Sequence, residues 1–236
     1  DDPLLMADQA FLMKRSIKNC AKKFNLNATF MAKPFSEEAG NGMHAHLSII
    51  DNKGNNLFEL DASNQPKGIF ADAIGGLLKT TPDFLSFYAS HSNSFRRLVH
   101  NADHAPTTLS WGHENRTALI RIPEASSSAT RLEFRLPSAD SNPYLVFASI
   151  LSSVLSGIEN KYPLGKETIG NAHAQHKAEL GITWREAVEK TSKSKVVKKF
   201  FGEQFQKSFQ VVKEHEISRF ESTVTDFEYN SYLRHL

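Results

Sequence analysis

Apolar residues recur at helical spacing in several regions of the chain. The spacing predicts helices over residues 7–25, 68–80, 81–90 and 141–161, and several amphipathic helices within 184–236. The first is expected to end near Asn25, and the third has Pro82 near its start. The fourth begins with an Asn or Ser cap and has Pro143 in its first turn. Breaks are predicted near Gly202 and Val224.

Other stretches have the composition or the period-two alternation of β-strands. Strand-like runs occupy residues 27–34, 42–48, 57–60, 116–123 and 130–137. The sequence DNKGNN at residues 51–56 is rich in turn formers, so it predicts a hairpin that joins its two flanking runs. Residues 92–110 have poor periodicity and many polar side chains, and we predict a loop there, where functional sites are common.

One strand-like run, GMHAHLS at residues 42–48, carries two histidines on one face. Because successive side chains of a strand point to opposite faces, His44, His46 and Ser48 share a face. The residues that alternate with them are apolar or small and are expected to face a core; they are Met43, Ala45 and Leu47. The polar face of this strand therefore needs an explanation beyond packing.

A second strand-like run, RLEFRL, repeats the pattern with charged residues. Period two places Arg131, Glu133 and Arg135 on one face and three apolar side chains on the other. Two interpretations stay open. The charged face is either an exposed side of an antiparallel sheet with cross-strand ion pairs, or part of a binding site. Further arginines in the nearby loops and strands favour an anionic, phosphorylated ligand, because guanidinium forks match carboxylate and phosphate oxygens. These are Arg96, Arg97, Arg116 and Arg121.

The composition excludes several classes of protein. The 236 residues are 40% hydrophobic and 23% charged, as expected for one large globular domain, and no apolar run is long enough to span a bilayer. The formal net charge of +2 provides no electrostatic argument for a nucleic acid partner. The single cysteine, Cys20, excludes an internal disulfide and favours a reducing cytoplasm. We predict it to be a small buried hydrophobe rather than a nucleophile.

The two polar faces suggest a divalent cation site if the strands lie side by side. His44 and Glu133 are the predicted ligands, with His46 and Ser48 alongside. Mg²⁺ accepts so small a protein donor set when substrate phosphates and waters complete it. The alternative is the H-x-H motif of cupin barrels, in which a nearby Glu completes an iron or manganese site. No Glu lies four or five residues after His46, and Asp51 is the only acid in reach.

Four longer stretches carry a resemblance to a known family. They are FMAKPFSEEAGNGMHAHLS, NRTALIRIP, RLEFRLPSADSNPYL and SGIENK, in the order and approximate spacing found in glutamine synthetases. The chain resembles that family over essentially its whole length. The resemblance implies an α/β (α+β) fold of the glutamine synthetase catalytic-domain type, with a curved antiparallel sheet backed by helices. It also implies an ATP-dependent ligase that phosphorylates the γ-carboxylate of glutamate and lets ammonia displace the phosphate.

The resemblance also implies roles for residues of both polar faces. His44 and Glu133 match the histidine and glutamate that bind Mg²⁺ or Mn²⁺. His46 and Ser48 match positions beside the nucleotide. ATP is then a co-substrate.

The remaining matches lie on the loops and arginines. Gly40 matches the loop that approaches the glutamate amino group, and Arg97 and Arg135 match the arginines that bind the glutamate carboxylates. Arg116 and Arg121 match those near the nucleotide and the transferring phosphoryl group. Fixed positive charge of this kind suits a dissociating phosphoryl group. The resemblance thus makes Arg97, Arg116 and Arg121 candidate catalytic residues.

One loop departs from the family pattern. Where the family reads R-L-x-P-G-Y-E-A-P, this chain reads RLVHNADHAP, one residue longer and without the Glu that binds and deprotonates ammonium. Asp103 and His104 are the candidates to replace that Glu, as proton acceptors or simply as loop residues. With SWGHENR downstream, the chain is similar to the relatives that ligate glutamate to polyamines or other organic amines. Trp111 then either forms an aromatic wall for the amine or is only part of the packing.

The sequence therefore predicts a glutamate–ammonia ligase, with two alternatives. One is a ligase for polyamines or other organic amines, and the other is a noncatalytic fragment of either. We expect residues 1–236 to be the C-terminal portion of the catalytic domain, without the N-terminal β domain and the first catalytic strands, and to be inactive alone. By resemblance, the full-length protein is expected to be a cytoplasmic homo-oligomer of two stacked hexameric rings, with no nucleic acid or membrane partner.

Overall fold

A computed structural model describes residues 2–99, 102 and 105–234 of the chain. Its helices are α1 (Pro3–Lys23), α2 (Gly68–Tyr88), α3 (Ser92–Arg97), α4 (Pro143–Asn160), α5 (Ala172–Gln175), α6 (Trp184–Lys193), α7 (Lys195–Phe201), α8 (Glu203–Glu221) and α9 (Asp226–Tyr232). Its strands are β1 (Ala45–Leu47), β2 (Glu59–Leu60), β3 (Pro66–Lys67), β4 (Trp111–His113), β5 (Ile120–Ile122) and β6 (Leu132–Phe134). This is an α/β organisation, as predicted.

Capping side chains place several helix boundaries where the sequence predicts them. The Asp2 carboxylate accepts hydrogen bonds from the first backbone N–H groups of α1, and the Asn142 amide oxygen does the same for α4, which has Pro143 at its first position. Gly202 separates α7 from α8, and residues 222–225 separate α8 from α9. The predictions for the start of α4 and for the breaks near Gly202 and Val224 are confirmed, whereas α1 begins four residues before the predicted residue 7 because Asp2 caps it.

The two helices predicted over residues 68–80 and 81–90 are one continuous helix, α2, with Pro82 inside it. Proline removes one backbone hydrogen bond from a helix interior. Side chains on both sides of it are fully buried, among them Phe70 and Leu77 before the proline and Phe84 and Leu85 after it. Burial of both halves against the same core keeps the helix continuous, so the prediction of a break here was wrong.

Three further predictions differ from the structure. Residues 27–34 do not form a strand, and at Lys33 the side chain of Asn93 takes the place of a strand partner, at 2.9 Å to the backbone N–H and 2.9 Å to the carbonyl oxygen. The predicted loop 92–110 begins with the short helix α3. Cys20 is exposed rather than buried, since α1 buries only Ala7 fully.

The predicted hairpin is present in part. Residues 51–55 form a turn that is closed by an isolated bridge between Ile50 and Asn56. The following strand β2, however, pairs with β3 in a separate two-stranded sheet. Leu57 therefore bonds to Ile49 across the predicted turn, whereas Glu59 and Leu60 pair with the later residues 66–67.

The main sheet has the strand order β1-β6-β5-β4. Strand β6 is antiparallel to both of its neighbours, as predicted, whereas β4 and β5 are parallel. Six residues, 114–119, connect these two strands, and the first of them, Glu114, has the left-handed conformation, with φ of 48°.

The register of the sheet separates an apolar row from a polar row. Ala45 lies opposite Phe134, and Phe134 lies opposite Ile120, so these three side chains share the face that packs on the core. On the other face, Glu133 lies between His46 and Arg121. The alternation predicted for both strands is confirmed by this register.

Helices α2 and α4 back the sheet and pack closely on each other through glycines. A Cβ atom added to Gly76 would lie 2.2 Å from the carbonyl oxygen of Ser153, and one added to Gly157 would lie 2.0 Å from that of Asp72. The two helix backbones can approach this closely only because these side chains are missing.

Among the helices of the described residues, none has the length and the hydropathy that a membrane span requires.

We expect Phe134→Ala to lower the free energy of unfolding by about 3–5 kcal/mol, because the buried ring packs against the Tyr88 ring at a centroid distance of 5.0 Å. Urea titration monitored by circular dichroism measures the change. Phe35→Ala removes the same atoms from a side chain that is 67% exposed and serves as the matched control. Equal losses of unfolding free energy for the two substitutions would contradict the burial of Phe134 in the apolar row.

Candidate functional site

The Glu133 carboxylate is the centre of the polar row. Its Oε1 lies 2.8 Å from Nδ1 of His44 and 3.0 Å from Nη1 of Arg135, and its Oε2 accepts a hydrogen bond of 2.9 Å from Nη1 of Arg121. Glu133 and Arg135 are buried. The interpretation of this face as an exposed side of the sheet is therefore wrong for both residues, and a buried ion cluster takes its place.

The cluster keeps Glu133 ionised. Burial raises the pKa of a carboxyl group, but hydrogen bonds from His44 and Arg121 and the charge of Arg135 outweigh it and lower the pKa of Glu133 to about 2. The carboxylate is consequently an anion over the whole physiological range of pH. An ionised carboxylate beside an imidazole is a donor set that divalent cations accept.

Arg121 is shared between two carboxylates. Its Nη2 lies 2.6 Å from Oε2 of Glu114, whose other oxygen accepts a hydrogen bond from the backbone N–H of Glu124. Glu114 lies within the SWGHENR stretch but is not among the site residues that the sequence predicts. In the sequence, Glu114 is only a charged residue between a strand and Arg116, and this pattern is too common to identify a site.

Arg97 lies at one end of the cluster and is almost fully buried. Its guanidinium donates to the backbone carbonyls of Leu136, at 2.8 Å, and Arg135, at 3.2 Å. Burial, together with the charge of Arg135, lowers the pKa of Arg97 to about 10. A Cβ atom at Gly40 would lie 2.7 Å from Cγ of Arg97, so the glycine loop is folded directly onto this arginine.

A cleft of about 180 Å³ opens beside Arg97. Lys33 and Arg96 add positive charge to its lining, and Gly40 forms part of its wall. Glu37 and Glu38 also line it, so the cleft has both signs of charge. A small zwitterion is the kind of ligand that such a lining can bind.

The other predicted site residues are more exposed. His46 accepts a hydrogen bond of 3.2 Å from Nε of Arg131, and partial burial lowers its pKa while Glu133 opposes the shift. Ser48 is exposed on the same strand face. The Arg116 side chain is exposed, and its carbonyl oxygen accepts a hydrogen bond of 2.9 Å from Nη2 of Arg135.

Two predicted residues have no structural account here, and one prediction needs correction. Asp103 and His104 lie outside the described residues. Trp111 is 1% exposed, and its neighbour across the strand pair is Ile120, which belongs to the apolar row. The indole is therefore packed in the core and cannot form the wall of an amine pocket.

The donors for a metal ion are only partly present in the described residues. No group of three or more His, Cys, Asp or Glu side chains in that part of the chain could hold a metal ion. His44 and Glu133 fit as two donors of a larger set, because their polar atoms already converge and the carboxylate is ionised. Such a pair suits Mg²⁺ or Mn²⁺, which take further oxygens from water and phosphate.

Comparison with known proteins agrees with this geometry. The profile of the family described as "Glutamine synthetase, catalytic domain" matches residues 1–232. The chain is 34% identical over 234 residues to the γ-glutamylputrescine synthetase of Escherichia coli (strain K12), an alignment that covers 99% of this chain and 49% of that protein. It is also 34% identical over 244 residues to the glutamine synthetase of Methanococcus voltae, covering 99% and 54%.

A solved structure confirms the fold. The ligand-free structure of GmaS superposes with a TM-score of 0.88 at 32% sequence identity, covering 99% of this chain and 54% of that one. The chain thus spans about half the length of the relatives that it matches.

Acid should remove the stabilisation that the ion cluster provides. Because the pKa of Glu133 is about 2 rather than its ordinary 4.5, the carboxylate contributes roughly 3 kcal/mol above pH 4.5, lost as the pH falls toward 2. We expect the difference in unfolding free energy between the unmodified chain and Glu133→Gln to shrink over that range. Urea titrations with EDTA at several pH values measure it.

The control for this experiment is Glu59→Gln, which removes the same charge from an exposed ion pair with Lys67. We expect it to change stability by at most about 0.5 kcal/mol at every pH. If the loss of unfolding free energy caused by Glu133→Gln were the same at pH 7 and at pH 2, the predicted protonation of the Glu133 carboxylate over this range would be contradicted.

Proposed function

The chain belongs to the glutamine synthetase catalytic-domain family, and from this membership we propose that it carries part of the active site of an ATP-dependent γ-glutamyl ligase. The observation that carries the proposal is the polar row. It brings His44, Arg121 and Arg135 onto the ionised carboxylate of Glu133, next to the glycine loop on Arg97. Convergent guanidinium groups around a cation-binding carboxylate suit the transfer of a phosphoryl group between two anions.

The reaction that we propose has two steps. A γ-carboxylate oxygen of glutamate attacks the terminal phosphorus of ATP, and ADP leaves with the electron pair of the broken P–O bond. The amine nitrogen then attacks the γ-carbonyl carbon of the acyl phosphate, phosphate leaves, and the amine gives up a proton to a base. Both steps concentrate negative charge on phosphoryl oxygens, so fixed cations stabilise them more than a covalent nucleophile would.

Each part of the site has a proposed role in this reaction. Arg121 and Arg116 bind the phosphoryl oxygens of ATP, and His46 and Ser48 lie beside the nucleotide. Support comes from Arg121, which lies beside Glu133 in the register, and from the exposed side chains of Arg116 and Ser48, which are accessible to a ligand. His44 and Glu133 would hold Mg²⁺ or Mn²⁺, which supplies additional positive charge for the phosphate oxygens when bound.

Glutamate is proposed to bind at the end of the row that Arg97 forms. The cleft beside Arg97 has a cationic lining for carboxylates and the carboxylates of Glu37 and Glu38 for an ammonium group. Arg135 and Gly40 complete this end of the site. The burial of Arg97 and Arg135 supports the assignment, because a buried guanidinium binds a carboxylate more strongly than an exposed one does.

The first candidate acceptor is ammonia, which would make the protein a glutamine synthetase. An organic amine is the second, and the loop RLVHNADHAP favours it because the usual ammonium-binding Glu is missing. One of the relatives described above acts on putrescine, by its name. Asp103 or His104 would provide the proton acceptor in either case.

We also propose the context in which the chain acts. Residues 1–236 would be the C-terminal portion of a longer catalytic domain, active in a cytoplasmic homo-oligomer. The limited metal donor set of the described residues supports the proposal that the chain is a portion of a longer domain, because additional carboxylates are needed for a tight site. The chain expressed alone is accordingly expected to release no ADP from ATP and glutamate.

His44→Ala in the full-length protein should raise the concentration of Mg²⁺ that gives half-maximal ADP release by at least about tenfold. The side chain is partly exposed, at 32%, so its loss should leave the fold intact. His91→Ala is the matched control, since His91 also contacts a carboxylate, Asp140 at 3.3 Å, but lies outside the polar row. An unchanged metal titration for His44→Ala, or an equal shift for His91→Ala, would refute the metal assignment.

The identity of the acceptor can be tested by competition kinetics in the full-length protein. If an organic amine is the substrate, kcat/KM should be higher for putrescine than for ammonium, because each buried methylene contributes about 0.8 kcal/mol. A preference for ammonium that is abolished by Asp103→Ala would identify the ammonia reaction instead. Trp111→Ala should lower stability without changing the ratio, since the indole is buried in the core.

A further inference from the structure

A second concentration of positive charge lies away from the polar row. A cleft of about 710 Å³ opens where α1 faces the start of α4 and the middle of α8. None of the candidate site residues described above lines it. Five cationic side chains do, namely Lys14, Arg15, Lys18, Lys22 and Lys213, against one acidic side chain, Asp140. The chain as a whole has a net charge of only +2, so the cleft holds a local excess.

The cations of α1 are not neutralised by the surrounding protein. Within the described part of the chain, none of the four lysine and arginine side chains of α1 that line the cleft forms an ion pair with a carboxylate. Lys14, Lys18 and Lys22 are spaced four residues apart, so one helix face presents all three. A solvated helix face would show the same spacing, so their spacing alone identifies nothing.

The partial burial of Lys14 distinguishes this face from a solvated one. Its Nζ donates a hydrogen bond of 3.1 Å to the carbonyl oxygen of Ser141 at the start of α4. Burial lowers the pKa of Lys14, Asp140 opposes that shift, and the charge of Lys18 lowers it further. A partly buried lysine whose hydrogen-bond partner is a neutral carbonyl is stabilised by an anion that enters the cleft.

Across the cleft, Lys213 is 7% exposed and donates 3.0 Å to the carbonyl oxygen of Ser90. Its charge is already paired with Glu216 at 2.8 Å. Phe11, Leu145 and Phe209 supply apolar wall between the two cationic sides. The cleft therefore combines positive charge with surface that favours a ring or an aliphatic chain.

We infer that this cleft binds a small phosphorylated metabolite that carries an apolar body. Lys14 and Lys18 contact the phosphate, and the body lies against Phe11 and Leu145. The cleft is separate from the polar row, so a ligand there would occupy a second site rather than the substrate site. The inference is independent of the proposed catalytic function.

Calorimetric titration of the 236-residue chain with phenyl phosphate and with inorganic phosphate tests it. The two probes carry the same charged group, and only the first has a ring. We expect saturable binding of both, tighter for phenyl phosphate, because the apolar walls contribute only to the ring. Absence of saturable binding would overturn the site, and tighter binding of inorganic phosphate would overturn the assigned class of ligand.

Two double variants locate the binding. Lys14→Gln with Lys18→Gln should weaken phenyl phosphate binding by at least about tenfold, as expected for the loss of charge-assisted hydrogen bonds. Lys190→Gln with Lys195→Gln removes the same charge from exposed positions outside the cleft and should leave the dissociation constant unchanged. Equal weakening in both would show nonspecific attraction, and no weakening in the first would place the ligand elsewhere. Either result overturns the inference.

Discussion

The Glu133 carboxylate and its three partners are the interaction on which the rest of the site depends. A buried carboxylate is costly unless charge and hydrogen bonds compensate for it, and each partner that is removed reduces this compensation. His44, Arg121 and Arg135 provide the compensation here. They come from the segment before β1, from β5 and from the residue that follows β6, so the ion cluster requires all three strands to keep their register. A slip of one residue would place Phe134 among the cations and Glu133 in the core.

The apolar face of the same sheet supplies the opposite constraint. Phe134 and Ile120 lie in a core that α2 and α4 cover, and the glycine contact of these helices leaves little room for a shift. The register is thus determined twice, by burial on one side and by charge on the other. Arg97 extends the arrangement, since it donates to two carbonyls just after β6 and supports the glycine loop at Gly40. A substrate that binds at these side chains would meet cations whose positions are already set, which is the requirement for electrostatic catalysis.

The sequence predicted the parts of this site that follow from local periodicity. Alternation in GMHAHLS and RLEFRL identified which side chains share a face, because each strand lies at the boundary between core and site. Caps such as Asn142 and breaks such as Gly202 predicted helix ends, because these residues act on their own backbone. The family motifs identified the candidate residues that the register then placed around Glu133.

The tertiary structure decided what depends on distant partners. Pro82 remains inside a helix because the core covers both halves of α2, and Trp111 belongs to the core because its strand pairs with β5. Glu114 joins the site only through Arg121, and the charges of α1 form a cleft only where α4 and α8 close it. The sequence by itself determined the faces, the caps and the family, since these depend on neighbours along the chain. Pairing, burial and the neutralisation of each charge depend on residues far away in sequence, and only the folded chain brings them within contact distance.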